Sequence, residues 1–286
     1  MISIALQRYW EETIATPRYA DKKRLLRYGQ KAYSQHDEDG IIAEIFRRIG
    51  ATTNRFVEFG VGSGIENNTL ALLVSGWSGL WVDGNPDNVE QSRKFLRTYL
   101  DAGRLQIEHS FITRENVNGL LEAFCPPGEL DLLSIDIDGN EYWIWEQIHH
   151  IAPRVVVIEY NATWFPPLSL TIAYRDSFVW DGSNYVGASL KALEILGAQK
   201  DYSLVGCGFA GINAFFVRSD LAEQHFLAPF TAENHFEPAR YWMYRASGHR
   251  ASIGELQLVS TPLPARISPA KASINDYRNH LPSPRA

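Results

Sequence analysis

The chain has 286 residues, 45% of them hydrophobic and 12% aromatic, and a formal charge of −6. This is an ordinary globular composition, long enough for one large domain or a core domain with extensions. The acidic balance argues against a nucleic-acid surface, which needs a clustered basic face. No run reaches the roughly 20 apolar residues of a membrane span. Cys125 and Cys207 have neither metal-ligand spacing nor a disulfide framework. The first ten residues lack a basic start followed by an apolar core, so a soluble protein in a reducing, cytoplasmic setting is expected. Peripheral membrane contact with a lipid-linked substrate and a homo-oligomer both stay compatible with these features.

Residues 1–33 read as a charged helical extension. Ile41, Ile42, Ile45, Phe46 and Ile49 follow helical spacing from Asp37, and Gly50 suits a stop. A strand is expected over 55–59, a helix over 67–76 and a second strand over 79–83. Asn85-Pro86 then caps a helix running to about Asp101. A strand over 105–109, a short helix over 115–124 and a strand over 130–136 follow. Next come a helix carrying Tyr142, Trp143 and Trp145 and a strand over 154–159. The strands are nearly continuous apolar runs, as in a parallel sheet buried on both faces. Their alternation with helices predicts an α/β sheet with right-handed crossovers. A loop of about 25 residues over 160–185 is rich in aromatics and prolines, and loops that long are usually functional or mobile. A helix over 187–197 and an antiparallel pair, 202–206 with 212–218, complete the domain. Beyond about 220 the chain becomes irregular and proline-rich, a tail that either wraps the body or is partly disordered. The expected organisation is an extension over 1–33, a domain over 34–220 and a second extension over 221–286.

The richest local signal is Glu58-Phe-Gly60-Val-Gly62-Ser-Gly64, an apolar strand ending in an acid and then glycines at alternate positions. Glycine turns sharply and lets a ligand approach the backbone. A strand that runs through such a loop into a helix is how open α/β sheets hold nucleotide-like ligands. Asp83 ends the second strand 25 positions after Glu58, where a ribose hydroxyl pair is commonly gripped. The alternate-glycine spacing differs from the G-x-G-x-x-G of dinucleotide oxidoreductases, which makes an NAD(P) enzyme the weaker alternative.

These motifs resemble the class I S-adenosylmethionine (SAM)-dependent methyltransferases and, within them, the FkbM-type O-methyltransferases of sugars and natural products. Glu58 to Gly64 is similar to the family's first motif. Asn68-Thr69 followed by Gly76-Trp77-Ser78-Gly79 resembles its "NT…GW-G" stretch. Asp136-Ile-Asp138-Gly-Asn-Glu141 resembles its "D-V-E-G-x-E" segment, with Asp138 standing where Glu is common. Ser34-Gln35-His36-Asp37-Glu38-Asp39 is similar to its lead-in. The resemblance covers about 33–220. It implies a Rossmann-like, seven-stranded, mostly parallel sheet with an antiparallel last strand and helices on both faces. It also implies SAM as cofactor, held by Glu58, Gly60, Gly62, Gly64, Asn68, Asp83, Gly84, Asn85 and Asp136, with His109 and Ser110 bordering the adenine.

The methyl donor is already activated, so the protein mainly supplies position. An aliphatic hydroxyl acceptor needs a general base or a metal ion. Candidate bases are Asp138, His36 and Glu141. Asp136 and Asp138 after the fourth strand, with Glu159 and Asn161 after the fifth, lie on adjacent strand ends, and such oxygen ligands suit Mg²⁺ or another hard divalent cation. The alternative is that these groups only solvate loop ends. Tyr160, Trp164, Phe165, Tyr174 and Trp180 in the long loop, and Tyr241, Trp242 and Tyr244 beside Arg240 and Arg245, suggest a wall for a glycoside or an anionic glycan. The competing reading is that the rings pack the loop onto the core. The expected activity is methyl transfer to a hydroxyl of a sugar, glycolipid or glycosylated natural product. The alternative from another class is a scaffold protein that keeps the donor site without turnover.

Overall fold

A computed structural model of the chain describes residues 2–125, 128–241 and 256–258. Helix α1 (Ile2–Ile14) and 3₁₀ turns at Pro17–Tyr19 and Leu26–Tyr28 precede α2 (Glu38–Ile49). There follow β1 (Arg55–Phe59), α3 (Leu70–Val74), β2 (Ser78–Asp83), α4 (Pro86–Phe95), α5 (Arg97–Asp101) and β3 (Leu105–His109). Then come α6 (Val117–Phe124), β4 (Gly128–Ile135), α7 (Glu141–Gln147), β5 (Ile151–Glu159), β6 (Leu170–Ile172) and α8 (Leu190–Gln199). The last elements are β7 (Tyr202–Cys207), β8 (Asn213–Arg218), α9 (Ser219–Ala222), α10 (Ala232–His235) and β9 (Leu256–Leu258).

Seven strands form one sheet in the order β3-β2-β1-β4-β5-β8-β7. The pairs β1–β2, β1–β4, β2–β3 and β4–β5 are parallel, while β8 is antiparallel to both β5 and β7. This is the expected Rossmann-like architecture with its antiparallel last strand. Alternation along each strand divides the core. Phe56, Trp81, Leu132, Val155 and Val157 face α2, α3 and α4. Val57, Val82, Leu133, Val156 and Ile158 face α6, α7 and α8. The strand order reverses between β1 and β4, which opens a crevice beyond their carboxyl ends.

Three local expectations change. The helix expected to run to Asp101 breaks at Leu96, whose φ of −105° and ψ of 23° leave the helical range. The 160–185 loop contains strand β6, paired antiparallel with β9 in a separate two-stranded ribbon. Strands β4 and β5 start two and three residues earlier than expected, because Gly128 pairs with Ile151 and extends the ladder outward. The proline-rich stretch 259–286 lies outside the described residues.

The N-terminal segment meets the segment that follows α10. Tyr19 donates to Glu237 Oε1 at 2.7 Å, Arg18 to the Phe236 carbonyl at 2.6 Å, and Arg24 to the Asn234 carbonyl at 2.9 Å. Arg240 pairs with Glu237 at 3.0 Å and donates to the Phe209 carbonyl and the Tyr9 hydroxyl.

Candidate functional site

A cleft of about 760 Å³ opens at the carboxyl ends of β1, β2, β4 and β5. Gly60, Gly62, Asn68, Asp83, Gly84 and Asn85 line it, together with Glu58, Asp136, Asp138, Glu159 and His36. The topology thus gathers residues separated by more than 120 positions in sequence.

The glycines of the first loop have different tasks. Gly60 has φ +78°, and a Cβ there would lie 1.6 Å from the Asp136 carbonyl oxygen. It lets β1 turn while packed against the end of β4. Gly64, at φ +80°, packs on Trp81 and Ser92 and does not line the cleft. Gly62, at φ +54°, faces open space and lines the cleft. Its backbone is therefore open to the cleft.

Glu58 is 1% exposed and accepts hydrogen bonds from the Asn68 and Thr69 amides, the Thr69 hydroxyl and Asn67 Nδ2. Burial pushes its carboxyl pKa up, against these donors, which lower it. Its main visible task is to tie the loop after β1 to the start of α3. Asp83 accepts from the Gly62 amide at 2.8 Å through Oδ2 and from the Asn85 amide at 2.8 Å through Oδ1. Both acids therefore order the walls they line. Asn85 caps α4 by accepting from the Asp87 amide at 2.9 Å. Asn68 donates to the Ser134 hydroxyl at 3.0 Å, linking the loop to β4.

Across the cleft, Asp136, Asp138 and Glu159 each offer a carboxylate oxygen, and these atoms lie within 4.8 Å of one another. Burial, and then the neighbouring carboxylates, drive the pKa values of Asp136 and Glu159 well up, and the two side chains are hydrogen-bonded to each other. Glu159 Oε2 has no hydrogen-bond partner. Three hard oxygen donors at this spacing fit a divalent cation of the Mg²⁺ class. Asn161 does not line the cleft. Its amide donates to the Asn184 and Val186 carbonyls, and its oxygen accepts from the Thr163 amide.

Of the three candidate bases, Asp138 and His36 line the cleft. His36 is 4% exposed, and burial depresses its pKa, which favours the neutral ring. Glu141 is fully buried and outside the lining. Its Oε1 accepts from the Ile137 and Gly139 amides at 3.1 and 2.7 Å, so it braces the turn that carries Asp138. Burial raises its pKa to about 7.

His109 and Ser110 are also outside the lining. His109 Nε2 lies 3.2 Å from the Gly84 carbonyl, and the Ser110 amide donates to the Asp83 carbonyl. The wall at that end is built by the next two residues, Phe111 and Ile112. Among the suggested aromatics, Trp180 and Tyr241 line the cleft, while Tyr160 is buried with its hydroxyl on the Glu237 carbonyl. Trp242, Tyr244 and Arg245 lie outside the described residues. Phe178, which sequence reasoning passed over, joins the wall because it covers Gly139, where a Cβ would lie 2.3 Å from its ring. Only its place in the aromatic loop signalled it. Asn67, Asn88 and Asn213 carried no pattern that would have marked them.

No protein-family model matches the chain, and no curated protein matches it. Solved structures do. An O-methyltransferase from Bacillus cereus in complex with SAH is 16% identical, with a TM-score of 0.46, over 76% of this chain and 98% of that one. A ribosomal protein L11 methylase from Lactobacillus delbrueckii subsp. bulgaricus is 16% identical, with a TM-score of 0.38, over 64% and 80%. A SAM-dependent methyltransferase from Aquifex aeolicus is 10% identical, with a TM-score of 0.38, over 62% and 89%.

Proposed function

We propose that the protein is a SAM-dependent O-methyltransferase acting on a hydroxyl of a sugar, glycolipid or glycosylated natural product. The observation that carries this reading is one cleft with two chemically distinct halves. One half has the open glycine Gly62, the acid Asp83 and the aromatic edge of Phe111. The other has the Asp136, Asp138 and Glu159 carboxylates beside Phe178, Trp180 and Tyr241. The first half suits a nucleoside with an amino-acid tail, the second a hydroxyl-bearing acceptor.

SAM supplies a methyl group on a sulfonium, reactive towards a nucleophile held in line. Gly62 leaves room for the tail against the backbone, and Asp83 holds the ribose hydroxyls. Val61, Phe111 and Ile112 exclude water from the base. At the acceptor, an aliphatic hydroxyl must lose its proton as its oxygen bonds carbon. Asp138 is the base in this reading where it does not ligate a cation, and His36 is the base where it does. Asp136, Asp138 and Glu159 would hold the divalent cation, whose charge lowers the pKa of a ligated hydroxyl. Glu141 acts through the turn it braces.

Calorimetric titration with SAH should show saturable binding, and NAD and NADP should give none. Methyl release to a glycoside panel should fall at least tenfold in excess EDTA and return with Mg²⁺. Absence of SAH binding would remove the methyltransferase reading; turnover unaffected by EDTA would remove the metal alone.

A further inference from the structure

The ionisable residues lining the cleft are strongly one-sided in type. Six lining residues are acids: Glu58, Glu66, Asp83, Asp136, Asp138 and Glu159. Among the described lining residues there is no lysine or arginine, and the single basic ring, His36, is held towards its neutral form by burial. Binding of phosphate, sulfate or carboxylate groups characteristically uses arginine or lysine donors.

Three cations lie outside the lining. Lys31 lies 3.5 Å from Glu66 at the rim and donates to the Gln35 carbonyl. The Arg175 guanidinium sits 5.1 Å from the Phe178 ring centre, outside the lining. Arg240, which the sequence suggested as a partner for acidic substrate groups, is 5% exposed and spent on Glu237 and the Phe209 carbonyl. That expectation is corrected by its burial. A divalent cation on Asp136, Asp138 and Glu159 would be met by carboxylate charge from its own ligands, leaving little to attract a second anion.

Asn140 and Asn213 both line the cleft, and each spends one N–H of its NH₂ on a group that can only accept. Asn140 donates to the Arg175 carbonyl at 2.8 Å and Asn213 to Glu38 Oε1 at 3.0 Å. Their amide orientation is therefore fixed; each keeps one further N–H, and each Oδ1 is buried without a hydrogen-bond partner. Phe178, Trp180 and Tyr241 add aromatic side chains to this lining.

Building on the methyltransferase reading, we infer that the acceptor half of the cleft selects a hydroxylated ring without an anionic group, and rejects phosphorylated, sulfated or uronic-acid counterparts. Hydroxyls donate to the carboxylate oxygens, and C–H groups pack against the aromatic side chains. An added phosphate or carboxylate would meet these acids, with no lysine or arginine among the described lining residues to offset them.

The full-length chain, saturated with SAH, should be titrated calorimetrically with methyl hexosides and with their matching uronates and 6-phosphates at one pH and salt concentration. Neutral members should bind at least tenfold more tightly than their charged counterparts. Equal or tighter binding of the charged members, or binding by no neutral member, would overturn the inference. Val179→Lys places a cation at the rim, at a side chain 74% exposed and able to change without disturbing the core. It should narrow the gap at least threefold by strengthening anion binding, and an unchanged gap counts against the inference. If SAH itself gives no heat, the methyltransferase reading fails, and the paired titrations on the free protein still decide the charge preference.

Discussion

Gly60 and Gly62 look equivalent in sequence, yet their surroundings separate them. A Cβ at Gly60 would overlap the Asp136 carbonyl oxygen, whereas one at Gly62 meets nothing within 4 Å. Gly60→Ala should therefore fail to fold or lose most of its stability. Gly62→Ala should fold with only the ~1–2 kcal/mol cost of a left-handed non-glycine residue, while SAH affinity falls at least tenfold. Thermal unfolding and calorimetry on the two variants check this pair. Glu141 has a second signature. Its folded pKa of about 7 lies above the ordinary 4.5, so the folded state binds its proton more tightly than the unfolded chain. Its stability contribution is complete below about pH 4.5 and is lost as the pH rises through 7. Glu141→Gln should flatten the dependence of Tm on pH across that window, and a slope equal to that of the parent would refute the assignment.

At the level of elements, the sheet is aligned by a buried acid remote from the cleft. Asp131 on β4 accepts from the Thr52, Thr53 and Asn54 amides and both threonine hydroxyls, and lies 3.6 Å from Arg154 on β5. Burial alone would raise its pKa, but these donors win and hold it below the usual range. The approach to β1 is thereby fixed against its neighbour, and with it the position of Glu58 and the glycine loop. Asp131→Ala strands several buried donors and should cost about 3–5 kcal/mol, read from the urea midpoint. The wild-type contribution should be present above the unfolded pKa and fade as the pH falls through the folded one.

On the scale of the whole molecule, the N-terminal segment and the segment after α10 are joined to each other. Glu237 is 2% exposed and joins Tyr19 to Arg240, and Tyr241 then enters the cleft. Glu237→Ala would leave Arg240 buried without its partner, a loss of about 3–5 kcal/mol. Hydrogen exchange should then rise in residues 2–28 while β1, β4 and β5 stay protected. Equal deprotection of the sheet would show that these segments and the sheet unfold as one unit.

The strands and the order of the α/β elements were legible because parallel strands buried on both faces are runs of apolar residues, and this pattern is local. The glycine loop and Asp83 were legible for the same reason: a turn at the end of a strand constrains residue type within a few positions. Elements whose reason lies elsewhere in the chain were hidden. Strand β6 exists by pairing with β9, and Phe178 lines the cleft by covering Gly139. Asn161 and Arg240 look available in sequence, yet tertiary contacts consume them. By itself the sequence determined which residues can carry the chemistry; only the tertiary structure decided which of them face the cleft. A side chain's chemistry belongs to the residue, whereas its free hydrogen-bonding capacity and net surrounding charge depend on neighbours brought in from distant parts of the chain.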